Sequence, residues 1–556
     1  MAVTPVHLLV FRDGRTQASG SRLKAALASR LQELSFNRCK DAILSALLAA
    51  GELECAAADA QLGFAEPDLS SLKALGKVTD AVAGLMLVSG SLDSAELISV
   101  LESAGVPEVL SVSTPEGFAY YALHPLSYAD VLDCLPLRDA VAVIGIRSIG
   151  TTLSAVTAAA ARSRGKQAAR ITVRPTGHPY NRELDFSDRE QAFTRDWLRR
   201  GAEFLVVDEG PGLSGSSFLS VAEALEREGV SPEQITLICA HQPEFGHFRA
   251  NHGAQRARRF RWVAVRGESR KPADADKFIG AGEWRREQFC SEQDWPAVWT
   301  TFERLKYLSA EGTSAGNEGQ RFYKFAGLGH YGETVIEREK LVAEAGFGPE
   351  PRQEGHGFCS YPWLTGRPMT ADDLSPAVID RLARYCSFRA GVLSVPEANI
   401  AQLQQMAEHN LSEFKLDIPV QLRLKRPVMA DSRMQPHEWV LAPNGQMLKT
   451  DSGSHGDDHF FPGPTDIAWD LAGAILEWQM GEAQKSAFLD SYCRASGDDA
   501  QKRIRDYVVA YAAFRAGYCL MAANAMQGSS EQARLETAAT RYRSILQANA
   551  ELAIAA

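Results

Sequence analysis

FLVVDEGPGLSGSSFLSVAEAL, which runs from Phe204 to Leu225, combines three signals within one short segment. An apolar run ends in the acidic pair Asp208 and Glu209, a glycine- and serine-rich turn follows, and a helical pattern begins at Ser216. A continuous apolar run of this length is typical of a strand that is buried on both faces. The segment therefore predicts a strand–loop–helix unit of a parallel sheet.

Similar β-branched runs lie on both sides of this unit, and they are VAVIGI (141–146), ARITV (169–173) and ITLICA (235–240). Helical patterns follow the first run at 151–165 and the acidic pair at 216–229. Strand–helix alternation of this kind predicts an α/β fold with a doubly wound parallel sheet. Ligands of such sheets bind at the carboxyl ends of the strands.

The composition limits the class of protein. The chain has 556 residues, 45% of them apolar and 23% charged, and its net charge is −10. This balance predicts a multidomain globular protein and makes a nucleic-acid partner unexpected, because nucleic-acid binding needs a cationic footprint. No run is long and apolar enough for a membrane helix, and MAVTPVHLLVFRDG at the start predicts a first strand rather than a signal peptide. Nine scattered cysteines without a C-x-x-C pair favour buried thiols and a cytoplasmic location.

The acidic pair and its loop resemble the phosphoribosyl-pyrophosphate motif of type I phosphoribosyltransferases. The resemblance implies that Asp208 and Glu209 act on the ribose or position Mg²⁺. It also implies that a loop at a helix N-terminus, where backbone N–H groups favour anions, binds the 5′-phosphate. The residues of that loop are Ser214, Gly215, Ser216 and Ser217.

Two upstream loops occur in the order that this family has. The loop after 141–146 resembles the pyrophosphate loop, and its matching residues are Arg147, Ser148, Gly150 and Thr151. The stretch TVRPTGHPYNREL, with Arg174 and Arg182, matches a mobile loop that closes over pyrophosphate. A plainer interpretation is a generic strand–turn–helix unit whose glycines permit tight packing.

A second constellation lies in RPVMADSRMQPHEWVLAPNGQMLKTDSGSHGDDHFFPGPTDIAWDLAGAI, residues 426–475. It resembles the catalytic region of the aminoglycoside phosphotransferase and choline kinase branch of the kinase-like fold. The resemblance implies that Asp431 is the catalytic base, that Asp451 chelates Mg²⁺, and that Asp466 and Asp470 are a structural pair.

This segment departs from the family at two places. Met429 and Ala430 replace the His-Gly that precedes the catalytic aspartate, and the metal-binding asparagine is absent. His437 and Glu438 occupy its neighbourhood; a glutamate is a good Mg²⁺ ligand, whereas a histidine is a poor one. The plainer interpretations are a helical domain whose acids are caps, or a kinase-like fold without activity.

The strand RFYKF upstream contains Lys324, and the helix after it contains Glu337 and Glu339. A strand lysine paired with a helix glutamate holds the α- and β-phosphates of ATP in kinases. The stretch YPWLTGRP (361–368) resembles the hinge that contacts adenine, and HGDDHF (455–460) predicts a loop at the substrate site.

Two weaker signals have mainly structural interpretations. Residues 249–271 are rich in arginine and favour a charged edge strand over a phosphate- or RNA-binding strand. The aromatic cluster GFAYYALHP (117–125) favours a packed core over a surface that stacks an acceptor ring.

We therefore expect an N-terminal α/β extension or hood (1–135), a phosphoribosyltransferase-like domain (136–268) and an α+β, bilobal kinase-like domain (269–556). The expected protein is a bifunctional transferase that uses phosphoribosyl pyrophosphate and ATP-Mg²⁺ on small-molecule substrates. The alternatives are a regulator that senses nucleotides or phosphoribosyl pyrophosphate, and a nucleotide hydrolase or phosphorylase. The acceptors cannot be read from the sequence, and the oligomeric state, including a homodimer, is open.

Overall fold

The computed structural model describes residues 7–11, 14–62, 67–88, 93–212, 214–265, 270–310, 319–460 and 463–555. Helices dominate the first part of the chain, and one antiparallel pair, β1 with β2, joins its two ends. Several of these helices have a side chain that caps their N-terminus. Asp68, which precedes the helix Leu69–Leu85, accepts the N–H of Ser71 at 3.1 Å. The elements are β1 (Arg15–Ser19), α1 (Gly20–Glu33), α2 (Lys40–Ala60), α3 (Leu69–Leu85), α4 (Ser94–Ser103), β2 (Val109–Ser113), α5 (Glu116–Ala119) and α6 (Leu126–Asp130).

The first strand predicted at the N-terminus differs from what is observed. Residues 1–6 and 12–13 lie outside the described residues. In the described stretch 7–11 only an isolated bridge forms, between Phe11 and Phe460, and β1 begins at Arg15.

A five-stranded parallel sheet follows, in the order β4-β3-β7-β8-β9. The predicted parallel sheet is thereby confirmed. Its elements are β3 (Ala140–Ile146), α7 (Ile149–Ser163), β4 (Gln167–Val173), β5 (Thr176–His178), β6 (Asn181–Glu183), α8 (Asp188–Arg199), β7 (Glu203–Val207), α9 (Ser216–Arg227), β8 (Ile235–Cys239), α10 (Gly253–Ala257) and β9 (Arg261–Ala264).

Helices cover both faces of this sheet. Val141 and Val143 of β3 pack toward α7 and the N-terminal helices, whereas Ala142 and Ile144 pack toward α8, α9 and α10. This alternation is what a strand buried on both faces requires. The chain order of the strands reverses between β3 and β7, and such a switch point opens a crevice for a ligand.

Two details of this region differ from the sequence expectation. The stretch matched to a mobile loop contains the β5–β6 hairpin, and α8 follows it. A capping box of Ser187 and Glu190 starts α8, so the S-x-x-E pattern was a readable signal for this helix. The arginine-rich stretch, in contrast, contains β9, one of the two edge strands of the sheet, as the favoured interpretation predicts.

A second, antiparallel sheet has the order β10-β11-β12-β14-β13. Tyr323 and Phe325 of its central strand β12 belong to the same hydrophobic core as α2, α7 and the parallel sheet. The elements of this part are β10 (Lys277–Phe278), α11 (Arg285–Gln288), β11 (Lys306–Leu308), β12 (Arg321–Phe325), α12 (His330–Glu344), β13 (Arg352–Gln353), β14 (Phe358–Pro362) and β15 (Arg367–Pro368).

The remainder of the chain is mainly helical around a separate, aromatic-rich core. Short strand pairs, β16 with β19 and β17 with β18, present the loops that carry the conspicuous aspartates. No helix of the described ranges is long and apolar enough to cross a membrane. The elements are α13 (Pro376–Val392), α14 (Ile400–Glu413), β16 (Pro427–Met429), β17 (Trp439–Leu441), β18 (Met447–Lys449), β19 (Pro464–Asp466), α15 (Ala468–Glu477), α16 (Glu482–Ser496), α17 (Ile504–Ala525) and α18 (Ser530–Ala555).

Close backbone packing at the switch point gives a test of the fold. A Cβ at Gly145 would lie 2.3 Å from the carbonyl oxygen of Gly150, whereas one at Gly84 in α3 meets nothing within 4 Å. We expect Gly145→Ala to lower the free energy of unfolding by about 1–3 kcal/mol through overpacking. Gly84→Ala should raise it by up to about 1 kcal/mol through helix propensity. Urea unfolding followed by tryptophan fluorescence measures both, and equal shifts would contradict the packing.

Candidate functional site

A cavity of about 170 Å³ lies between the second sheet and the loops of the helical part. Lys324 of β12 reaches it, with only 2% of its surface exposed. Its ammonium group forms an ion pair with Asp451 and donates to the hydroxyl of Ser454 at 2.6 Å. The sequence-predicted lysine and the predicted metal-binding aspartate therefore meet at one point of the cavity.

Asp451 follows β18 in a left-handed conformation, with φ of 51°. Burial works against its ionised form, but the facing His455, Lys324 and Lys306 hold its pKa well below the usual range. His455 places its Nε2 3.3 Å from the second oxygen of Asp451. The carboxylate is thus ionised and in contact with cationic or polar groups on both oxygens.

The two candidate glutamates of α12 take different positions. Glu339 is buried and accepts the hydroxyl of Ser452 and the N–H of Gly453, both at 2.6 Å, while burial raises the pKa of Glu339. Glu337 is exposed, because residues two apart on a helix point in different directions. Glu339 therefore supports the turn after Asp451, and Glu337 does not line the cavity.

The predicted catalytic base, Asp431, is fully buried. Its carboxylate accepts the hydroxyl of Tyr385 and the N–H of Arg433, and the ammonium of Lys449 lies 3.5 Å away. It is not among the residues that line the cavity, whereas Asp458 is. The role of Asp431 as base stays a prediction, and Asp458 is a second candidate that the sequence reasoning did not single out.

The two aspartates of DIAWDLA, Asp466 and Asp470, accept hydrogen bonds from backbone N–H groups, which is a structural role. Asp470 accepts the N–H groups of Asp431 and Ser432, each at 2.9 Å, and burial raises the pKa of Asp470 to about 6. Asp466 accepts the N–H groups of Lys425 and Arg426 at 2.7 Å each. Both carboxylates thus fix the loop that carries Asp431.

His437 and Glu438 both line the cavity. Burial lowers the pKa of His437 to about 3 and raises the pKa of Glu438, and the His437 ring stacks on Trp284 at 6.2 Å. Within the described ranges no group of three or more His, Cys, Asp or Glu residues is arranged to hold a metal ion. Asp451 and Glu438 nevertheless bring hard oxygen donors to one cavity, and Mg²⁺ in kinases takes its other ligands from phosphate and water.

An aromatic strip lines another part of the same cavity. Tyr361, Pro362, Trp363 and Leu364, all in the hinge-like stretch, contribute to it. Phe322 of β12 stacks on Tyr361 with ring centroids 6.0 Å apart. Flat apolar surface beside a buried lysine suits a nucleobase next to its phosphates.

The acidic pair of the first motif lies at the carboxyl end of β7. Burial raises the pKa of Asp208 to about 7, an effect that the Glu209 N–H and Arg174 partly offset. Burial likewise raises the pKa of Glu209 to about 8, and one Glu209 oxygen accepts the N–H of Gly117 at 3.0 Å. Two adjacent carboxyl groups with raised pKa values are typical of a binding or catalytic site.

The predicted anion-binding arginines near this pair have internal partners. Both Arg147 and Arg174 form ion pairs with Asp59 of α2. Ser148 has φ of 122°, a strained conformation at the start of α7. Asp59 and Ser148 line a cavity of about 30 Å³, which is roughly the volume of one water molecule.

The serine loop before α9 also forms hydrogen bonds to another part of the chain. The hydroxyls of Ser214 and Ser216 donate to the carbonyl oxygen of Pro179, in the β5–β6 hairpin, at 2.9 and 2.7 Å. Gly215 adopts φ of 66° at the helix start, and a Cβ there would meet the ring of Phe248. The hairpin therefore covers this loop.

Four further residues that were predicted to bind the phosphoribosyl ligand differ in exposure and in their contacts. Ser217 is partly exposed at the start of α9, and Gly150 packs closely against the end of β7. Arg182 donates to the carbonyl oxygen of Gly177 within the hairpin. Thr151 is fully buried, and its hydroxyl has no hydrogen-bond partner among the described residues.

Four residues that line the cavity were not predicted as site residues from the sequence. They are Tyr120, Arg304, Lys306 and Arg433. The aromatic cluster at 117–125 was a signal for Tyr120, although packing was the favoured interpretation. Arg433 could have been found only by its position two residues after Asp431.

Neither a family model nor a curated protein matches this chain. Solved structures of kinases resemble about 44% of it. Choline kinase LicA from Streptococcus pneumoniae is 16% identical over 43% of this chain and 89% of its own, with a TM-score of 0.28. A choline/ethanolamine kinase family protein from Mesorhizobium loti is 14% identical over 44% and 85%, with a TM-score of 0.31.

An aminoglycoside phosphotransferase from Alicyclobacillus acidocaldarius subsp. acidocaldarius DSM 446 is 10% identical over 45% of this chain and 90% of its own, with a TM-score of 0.31. These scores and identities are too low to assign a function, which we infer from the geometry of the site.

The raised pKa values of Asp208 and Glu209 predict a pH dependence. Between about pH 4 and pH 8 the folded chain holds protons that the unfolded chain has released, so the stability from this pair falls as the pH rises. We expect Asp208→Asn/Glu209→Gln to flatten the fall in thermal midpoint between about pH 5 and pH 8. Asp185→Asn, at an exposed aspartate, is the control. Parallel profiles for wild type and the double variant would contradict the burial of the pair.

Proposed function

We propose that the C-terminal part of the chain is a bilobal, ATP-dependent phosphotransferase that phosphorylates a hydroxyl group of a small molecule. The observation that carries the proposal is the buried contact between Lys324 and Asp451 in a cavity with an aromatic strip. Glu339 fixes the turn after Asp451. A lysine for the phosphates, an acid for the metal and a supporting glutamate are the parts that phosphoryl transfer needs.

The residues present suit Mg²⁺ bound with ATP. Asp451 is ionised and Glu438 lines the same cavity, so both would hold the metal, with phosphate oxygens as further ligands. Mg²⁺ would supply charge neutralisation for the transferring phosphoryl group. Lys324 would move from Asp451 toward the phosphates.

In the proposed reaction the acceptor oxygen forms a bond to the terminal phosphorus, and the bond from that phosphorus to the bridging oxygen of ADP breaks. The proton of the acceptor hydroxyl passes to a carboxylate. Asp458, which lines the cavity, and Asp431, which is fully buried and does not line it, are the two candidates for this base. ADP leaves with the bonding electron pair.

Substitution of the metal-binding acid tests the proposal. We expect Asp451→Asn to lower ADP formation from ATP-Mg²⁺ by about 100-fold or more, because charge neutralisation is lost. Glu339→Gln should lower it less, and Glu337→Gln, at the exposed position of the same helix, should leave it unchanged. An ADP-coupled assay with pooled hydroxyl compounds measures turnover, and calorimetry measures ATP binding. Intact ATP binding without turnover in wild type would instead favour a sensor.

We propose a second function for the acidic pair at the carboxyl end of β7, namely the binding of a phosphoribosyl group. The observation that favours it is the pair of half-buried carboxyl groups with raised pKa values, Asp208 and Glu209, at the switch point, with the serine loop before α9 beside them. The arginines paired with Asp59 would be released when the diphosphate binds. Transfer, hydrolysis and sensing all begin with this binding step.

Thermal shift tests the second function. Phosphoribosyl pyrophosphate with Mg²⁺ at 100 times its dissociation constant should stabilise the chain by about 2.7 kcal/mol. We expect Asp208→Asn/Glu209→Gln to lose this shift and Asp451→Asn to retain it. Loss in both variants, or no shift in wild type, would contradict a separate phosphoribosyl site. Release of pyrophosphate or ribose phosphate would then separate transfer from hydrolysis.

A further inference from the structure

One side of the kinase-like cavity is built from rings that pack mainly edge to face, which we call the aromatic wall. Its members are Tyr120, Trp299, Phe302, His459, Phe460 and Tyr518. Neighbouring rings are in contact, with centroids 4.8 Å apart for Phe302 and His459 and 4.9 Å apart for Phe460 and Tyr518. The aromatic wall therefore forms one continuous surface along the cavity.

An arginine lies at each end of the aromatic wall. The guanidinium of Arg304 lies 5.1 Å from the ring centroid of Tyr120, and that of Arg433 lies 5.5 Å from the ring centroid of Tyr518. Cation–π contacts of this kind orient a guanidinium while leaving its N–H groups available. Both arginines line the cavity.

Neither arginine forms an ion pair with a carboxylate of the described chain. Arg304 donates to the carbonyl oxygens of Ala119 and Ala326, at 2.9 and 2.6 Å, and Arg433 interacts with Tyr518. Glu303, the acid next to Arg304, is engaged by Lys306, at 3.0 Å. Against the effect of burial, Asp458 and Glu438 are near enough to raise the pKa of Arg433, but neither guanidinium is neutralised by a direct ion pair within the described ranges.

Several arginines that are buried elsewhere in this chain form ion pairs with carboxylates. Arg170, Arg285 and Arg503 are buried, and each forms an ion pair with one or two carboxylates. Pairing is the usual condition for burial of this side chain. Arg304 and Arg433, which are half-buried and line the kinase-like cavity, depart from that pattern.

A third donor faces the same space. Trp299 is 5% exposed and lines the cavity, and its indole N–H has no hydrogen-bond partner among the described residues. A buried donor without a partner costs free energy unless a ligand satisfies it.

We infer that the hydroxyl-bearing acceptor of the phosphotransferase is an anion, and that Arg433 and Arg304 bind its phosphate or carboxylate group beside the aromatic wall. The inference rests on the proposed phosphotransferase function and names the substrate class of that site. The acceptor gains the terminal phosphoryl group of ATP on its hydroxyl oxygen and loses that proton to a carboxylate. Its anionic group stays unchanged and serves only for binding and orientation.

Calorimetry on the whole 556-residue chain tests this inference with matched pairs of probes. Each pair has a neutral and an anionic member: ribose with ribose 5-phosphate, and glycerol with glycerate. Titrations are done with and without the Mg²⁺ complex of the β,γ-imido analogue of ATP. They use the Asp208→Asn/Glu209→Gln background, so that the sheet edge does not contribute.

We expect at least one anionic probe to bind about tenfold or more tightly than its neutral partner, since charge-assisted hydrogen bonds are strong. Arg433→Gln and Arg304→Gln should each weaken that binding by about tenfold and change binding of the nucleotide analogue by less than about twofold. Arg433→Lys should retain part of the affinity, which separates charge from folding. Arg286→Gln, at an exposed arginine, is the control.

Equal binding of neutral and anionic probes, or no binding of any anion, would overturn the inference. So would an equal loss of nucleotide binding in the arginine variants, because the arginines would then belong to the phosphates of ATP. Arginine-dependent anion binding in a chain that does not bind the nucleotide analogue would instead overturn the phosphotransferase function alone. Comparison of the two pairs separates a phosphate-bearing from a carboxylate-bearing acceptor.

Discussion

The buried ion pair between Lys324 and Asp451 joins the two sides of the cavity. Lys324 comes from the central strand of the antiparallel sheet, and Asp451 comes from the turn after β18. Removing one member of such a pair leaves an uncompensated charge in the interior, at a cost of about 3–5 kcal/mol. Glu339 then fixes the backbone next to Asp451. The two charged groups that connect the sides of the cavity are therefore the same groups that would contact the phosphates and Mg²⁺ in the proposed function.

A short segment, α5 and the two tyrosines after it, connects this cavity to the parallel sheet. The N–H of Gly117 donates to Glu209 at 3.0 Å, and the hydroxyl of Tyr121 bonds to His459 at 3.1 Å. Between them, the carbonyl oxygen of Ala119 accepts from Arg304 at 2.9 Å. The acidic pair and the aromatic wall therefore share one structural support, although their motifs lie far apart in sequence.

Local patterns in the sequence were sufficient for the parallel sheet, because each central strand is a continuous apolar run followed by a turn. Lys324, Glu339 and Asp451, which line one cavity, were found through the family resemblance, and it did not distinguish Glu339 from Glu337. Local patterns could not show that Asp431 is enclosed by Tyr385 and Lys449, since that depends on packing between distant elements. Nor could they reveal Arg304, whose partners come from two other parts of the chain.

The two candidate sites treat their arginines in opposite ways, and the difference has consequences for binding. At the carboxyl ends of the parallel strands, Asp59 forms ion pairs with Arg147 and Arg174. The serine hydroxyls of the loop before α9 donate to the carbonyl oxygen of Pro179. A phosphoribosyl ligand must displace these internal partners, so part of its interaction energy is lost in opening the site. Along the aromatic wall, Arg304 and Arg433 are held by rings and carbonyl groups rather than by carboxylates. An anion can bind there without breaking an ion pair, which makes the cavity the more preorganised of the two sites.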